Sequence, residues 1–147
     1  MCLRCWLKWS GIVGYVIMYV NAGNRRLTEA ILSGIASAFD DERSAWWAAD
    51  ITSRIAGKKP CIITDSITNR LFGLMEAESS WIVASAAICT IALNTTDEIV
   101  QSDILTKAIA ALDRRESARQ AAYIIFRISE TKSQLISREA ADRLFSV

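Results

Sequence analysis

Apolar side chains recur at steps of four residues in three separate runs along the chain. Leu27, Ile31, Ile35 and Phe39 make the first, Ile63, Ile67, Leu71 and Met75 the second, and Val100, Ile104, Ala108 and Leu112 the third. That step keeps each set on one face of an α-helix. An acidic break follows every run: Asp40-Asp41-Glu42, then Glu76-Ala77-Glu78-Ser79, then Asp113-Arg114-Arg115-Glu116. A second apolar segment follows each break, so the chain reads as pairs of helices joined by short turns. Asn24 is the expected cap of the first helix. The carboxylates of residues 40–42 open the second, where they satisfy free amides and favour the helix dipole. Thr64 or Asp65 starts the third helix and Ser102 the fifth, while Asp113 and Glu116 read as an acidic variant of a capping box before the sixth. Gly57-Lys58-Lys59-Pro60 stops the second helix near Ala56, with Gly57 expected in the left-handed cap and Pro60 unable to continue. No segment alternates strictly between apolar and polar, so the expectation is all-α.

The second helices repeat one another. Glu116–Ile128 aligns with Arg43–Ile55 at an offset of 73, with seven identities in thirteen places. These are Ser44/Ser117, Ala45/Ala118, Ala48/Ala121, Ala49/Ala122, Ile51/Ile124, Arg54/Arg127 and Ile55/Ile128. A looser copy, Ser79 to Ile91, lies between them at steps of 36 and 37. Such a period is the mark of stacked helical units. We therefore expect one domain over 1–147, with full units at 24–57, 60–93 and 95–129. A terminal half unit would span 133–147, its helix running from Ser133 to Phe145 with Leu135, Ala140 and Leu144 on a partial apolar face.

Residues 1–22 are open to two readings. Shifting the repeat back by 36 makes Lys8 to Val20 the second helix of a degenerate first unit, with Ile12, Val13 and Tyr15 in place of Ala48, Ala49 and Ile51. Alternatively, Arg4 and Lys8, the apolar run Trp9 to Val20 and the small-residue end at Ala22 form a signal peptide. That run falls short of the roughly 20 residues a spanning helix needs, although a membrane-surface anchor remains open. The expected location is cytoplasmic, or exported if the segment is cleaved.

The helix pairs resemble HEAT repeats and, more widely, α-solenoids. Asp40, Glu76 and Asp113 stand at the turn, Ala48/Ala49 and Ala121/Ala122 where helices approach, and Ile55, Ile91 and Ile128 near the end. The middle copy departs with Ser80-Trp81-Ile82-Val83, and glycine follows only the first copy. The resemblance implies a short right-handed α-solenoid of three to four helix pairs, the alternative being an ordinary helical bundle. It also implies that the second helices line a concave face. In this register Trp46, Ile82 and Arg119 form one row and Trp47, Val83 and Gln120 the next. Asp50, Ala86 and Tyr123 follow, then Arg54, Thr90 and Arg127. Trp46, Trp47, Asp50, Ile82, Val83, Arg119, Tyr123 and Arg127 are thus the candidate binding residues, of the types that anchor interfaces. The competing reading puts Trp46 and Trp47 in the junction with the N-terminal helix, against Trp9 or Tyr15. Arg54 and Arg127 could likewise serve only the helix dipole.

Composition narrows the chemistry. Seventeen basic and sixteen acidic residues leave a net charge of +1, without the footprint of a nucleic-acid binder. The absence of histidine removes imidazole bases and ligands, and with them the Ser-His-Asp and Cys-His pairings. Cys2 and Cys5 form a single C-x-x-C pair while Cys61 and Cys89 stand alone, so no four-ligand zinc site is indicated. No metal or cofactor is expected, and no catalytic residue. The acidic clusters read as helix caps, and Ser44 and Ser117 as small packing residues. The function expected is a non-catalytic protein- or peptide-binding module: an adaptor, an inhibitor or an immunity-type protein. One alternative, suggested by the resemblance, is a HEAT-like DNA-alkylation-repair glycosylase using Trp46, Asp50 and Tyr123. Against it stand Ser85 and Ala86 in the middle repeat, the small number of repeats and the neutral charge. A secreted or envelope-associated factor is the other. The partner's identity and the oligomeric state are left open.

Overall fold

A computed structural model describes residues 14–16, 18, 23–77, 80–136 and 142. Every regular element among them is helical. Six α-helices run their full course there: α1 (Arg25–Ala38), α2 (Glu42–Ala56), α3 (Asp65–Leu74), α4 (Trp81–Asn94), α5 (Glu98–Leu112) and α6 (Ala118–Thr131). Short 3₁₀ turns, Pro60–Ile62 and Ser133–Leu135, precede α3 and follow α6. Residues 14–16 and 18 are also helical, with Val16 packed on the core and Tyr15 and Met18 exposed. The rest of the N-terminal segment, including Cys2, Cys5 and Trp9, lies outside the described residues. So does most of the expected terminal helix, with Ala140 and Leu144. No helix among the described residues is long and apolar enough to cross a membrane.

Four helix starts are fastened by a side chain at the boundary residue. Asn24 accepts from the Leu27 amide at 3.2 Å, Asp41 from Arg43 at 3.4 Å, and Thr64 from Ile67 at 3.4 Å. Asp97 accepts from both Ile99 (2.9 Å) and Val100 (3.4 Å). Each satisfies amides that have no partner inside the helix. The fifth helix therefore opens at Asp97, and the expected cap Ser102 is an exposed residue inside it. The sixth helix does not open at 113–116 either. Asp113 closes α5 as its C-cap, and α6 begins only at Ala118. Gly57 sits at φ −65°, in the right-handed region, so no left-handed cap forms there. The amides of Lys58 and Lys59 instead fold back onto the Ile55 carbonyl, which needs no special residue.

Consecutive helices pair as α1 with α2, α3 with α4 and α5 with α6. The most extensive contact, however, joins α2 to α4, and α4 also packs broadly on α6. The second helices thus lie side by side with α4 in the middle. Its sequence, WIVASAAICTIALN, carries no charged residue, as expected for a helix covered on several sides. Ala84, Ala87, Ile88, Ile91 and Ala92 are essentially sealed from solvent. Alanines are buried on both neighbouring helices too: Ala45, Ala48 and Ala49 on α2, and Ala121 on α6. Small side chains let helix axes approach closely and put more backbone in contact.

Polar ties cross the same layers. Ser44 Oγ donates to the Ala38 carbonyl at 2.8 Å and Ser117 Oγ to the Ala111 carbonyl at 3.1 Å, each reaching six residues back across the turn. The Ser53 and Thr90 hydroxyls bond at 3.1 Å between α2 and α4. Arg70 pairs with Asp40, and Arg114 with Glu76, each joining one hairpin to the turn of the preceding one. At the C-terminal end of α4, Lys132 Nζ donates to the carbonyls of Ala92 (3.1 Å) and Thr95 (3.0 Å).

If the alanine faces set helix spacing, Ala84→Leu should lower unfolding stability by about 1–3 kcal/mol through overpacking. Ala110→Leu, on the exposed side of α5, should stay within about 0.5 kcal/mol of the parent. Urea unfolding followed by circular dichroism compares the two.

Candidate binding surface

The amphipathic pattern of α6 decides what its outer side presents. Ala121, Ile124, Ile125 and Ile128 are buried, which leaves Arg119, Tyr123 and Arg127 exposed on the opposite side. On α4, having no polar face, the outward positions are apolar by default: Ile82 is 63% exposed and Ala86 is also exposed. Because α4 and α6 are neighbours, these two sets meet. They enclose a cleft of about 310 Å³ lined by Trp81, Ile82, Ser85, Ala86, Arg119 and Tyr123.

Three of the eight candidate residues, Ile82, Arg119 and Tyr123, are therefore brought to one cleft. Trp81 and Ser85 join them although neither was singled out. The signal was present: 81 and 85 are one turn apart, beside the 82 and 86 pair on the same helix. The Ser85 hydroxyl turns back to donate to the Trp81 carbonyl at 2.8 Å.

The other candidates lie elsewhere. Trp46 and Trp47 are half-buried and meet edge-to-face, with ring centroids 4.6 Å apart at 85°. Trp47 lines a separate apolar cavity of about 190 Å³ with Val16, Ile31, Ile35 and Ile51, so it faces α1 and the N-terminal segment. Val83 is half-buried and packs on the core. Its row-mate Gln120 is half-buried too, with an amide oxygen that finds no hydrogen-bond partner among the described residues. Asp50 is held by Arg54 Nε at 3.0 Å, and Arg127 reaches Glu130 at 2.8 Å. Neither Trp46 nor Asp50 lines the cleft that holds Tyr123. The carboxylate of the glycosylase reading, Asp50, already has a cationic partner.

Other chemistry is sparse. No group of three potential metal-ligating side chains occurs among the described residues. Ser44 and Ser117 spend their hydroxyls on backbone carbonyls. Asp41 and Asp97 cap helices, and Asp40 pairs with Arg70. Cys61 is exposed and Cys89 buried. Burial pushes the Cys89 thiol up to about 11, against a smaller opposing pull from the Arg127 charge. A neutral thiol is a poor nucleophile, so Cys89 acts as a packing residue.

That shift carries a sign. The folded state keeps the Cys89 proton to higher pH than the unfolded chain, whose thiol loses it near its ordinary value of 9.0. The resulting stabilisation is complete below the ordinary value and absent above the raised one. Urea titrations from pH 8 to about 11 should show the parent losing more stability than Cys89→Ala over that window. In the native protein near pH 8, iodoacetamide should alkylate Cys61 well before Cys89, as peptide mass mapping would report.

No protein-family model, curated protein or solved structure matches the chain.

Proposed function

We propose that the chain is a short right-handed HEAT-like α-solenoid acting as a non-catalytic module, which grips a protein or peptide across its second helices. An adaptor, an inhibitor or an immunity-type protein would each use such a surface. The cleft between α4 and α6 carries this reading, because it joins exposed Ile82 and Tyr123 to Arg119 in one concavity. Solvent does not favour an exposed branched aliphatic beside an exposed aromatic ring, and such clusters serve contacts with other molecules. Tyrosine and arginine are also the side chains that most often dominate interface energetics.

Several features support the solenoid part. The second helices pack in chain order, α2 on α4 and α4 on α6. Contacts recur at nearly the repeat spacing, as in Ser53 with Thr90 and Glu76 with Arg114. Ser44 and Ser117 make the same six-residue tie in two different hairpins. Stacked units of this kind cover each other's apolar sides and leave one long wall for a partner.

Affinity capture with the native protein, followed by cross-linking mass spectrometry, tests the reading. Cross-links from a captured partner should fall on α4 and α6. Ile82→Arg and Tyr123→Ala should each weaken that partner's affinity about 30-fold, the scale of an interface hot spot, while helicity by circular dichroism stays at the parental level. Unchanged capture by both variants would exclude the cleft as the site, and a loss of helicity would place these side chains in the fold's support instead.

A further inference from the structure

The polar groups in the cleft say more about the occupant than its apolar walls do. On the outer faces of α2 and α6, Arg54 is committed to Asp50 and Arg127 to Glu130. Arg119 has no ion-pair partner among the described residues, and Glu116, one turn before it, does not reach it. A guanidinium has five N–H donors and cannot accept, so an occupant that satisfies it must bring an acceptor. Among the described residues, no carboxylate lines the cleft. The Tyr123 hydroxyl is a second donor without a described partner, and the Ser85 hydroxyl is already spent on backbone.

We infer that the cleft takes an internal peptide segment in which a bulky apolar side chain stands beside an aspartate or glutamate. This rests on the peptide-binding reading above and specifies the partner's chemistry. The apolar side chain sits against Trp81, Ile82 and Ala86. The neighbouring carboxylate receives paired N–H groups from Arg119, a planar fork that matches carboxylate geometry. At about 310 Å³ the cleft lies at the lower end of small-molecule sites and suits one anchoring side chain. Phosphate recognition along a nucleic acid asks for several cations in a row, whereas this cleft has one among the described residues and the chain's net charge is +1.

The test is selection of random short peptides on the folded protein, with every peptide fused at its C-terminus so that only side-chain carboxylates are presented. Enriched sequences should place an acidic residue next to, or one turn from, a large apolar one. Fluorescence anisotropy with an enriched peptide should show Arg119→Gln weakening binding about tenfold, since a hydrogen bond to a charged group is lost. Arg119→Glu should be rescued when the peptide's acid is changed to lysine. Enriched peptides without acids, sensitive to Ile82→Arg but indifferent to Arg119→Gln, would overturn the acidic partner and leave the peptide-binding reading standing. Binding that appears only with a free peptide C-terminus would overturn it in favour of a terminal carboxylate. A single-stranded oligonucleotide that competes, and loses affinity in Arg119→Gln, would overturn it in favour of phosphate. Enriched peptides indifferent to both Ile82→Arg and Arg119→Gln would overturn the inference and the cleft together.

Discussion

Helix α4 depends on the helices that cover it, α2 and α6 on its flanks and α3 in its own hairpin. Fourteen residues without a charge, including Ile88 and Ile91 at essentially zero exposure, would be a liability as a free helix. Burying each isoleucine contributes roughly 1.5–3 kcal/mol, but only while neighbours close the surface around it. Alanines are buried on all three helices, Ala45 and Ala49 on α2, Ala84 and Ala87 on α4 and Ala121 on α6, and side chains this short let helix axes approach closely. Lengthening any of these side chains would force the axes apart and open the isoleucines to water. Helix spacing and the hydrophobic effect are therefore one constraint here.

Close packing of helix ends creates a polar problem, since terminal amides and carbonyls lose access to water. The chain answers at both ends. Four helix starts use Asn24, Asp41, Thr64 and Asp97. Beyond the end of α4, Lys132 and the buried Gln101 converge on the Thr95 carbonyl, at 3.0 and 2.6 Å. A cation at that end also complements the helix dipole. Lys132 follows α6, so this contact ties the last hairpin to the middle one by a route independent of side-chain packing. Arg70–Asp40 and Arg114–Glu76 connect the hairpins too, but they are solvent-exposed, and such pairs contribute little to stability. Their value is in register.

How far the sequence showed all this depends on the kind of interaction. Four-residue spacing and capping side chains are local, so the helix starting after Asn24 and the ends of α2 could be read directly. The buried alanines were visible because the chain repeats them. What failed was the choice among equivalent local options: Asp97 and Ser102 can both cap, and geometry selects the earlier. Asp113 looked like a beginning because an acid three residues before another fits a capping box, yet the preceding helix extends through Leu112 and takes it as an end. Trp46 and Trp47 could not be told apart, since adjacent positions on a helix point about 100° apart and both are tryptophan. Their directions depend on what fills the space beyond α1, a contact that no local pattern encodes.

The same reasoning accounts for the cleft's position. The run Ala84-Ser85-Ala86-Ala87 serves α4 well on its two covered sides, where small residues admit the neighbouring helices. A helix has no means of being small on two sides and bulky on the third within one turn unless the sequence spends a large residue there, and here it spends Ile82 at the rim instead. Ser85 and Ala86 leave volume unfilled on the outer side, while α6 offers the long Arg119 and Tyr123 across from it. In a sealed core a void of this kind would be destabilising, because lining atoms lose their contacts. At the surface water fills it at little cost, and an entering side chain recovers the dispersion contacts that water makes poorly. The middle helix's need to be narrow for its neighbours is thus also what leaves the cleft open.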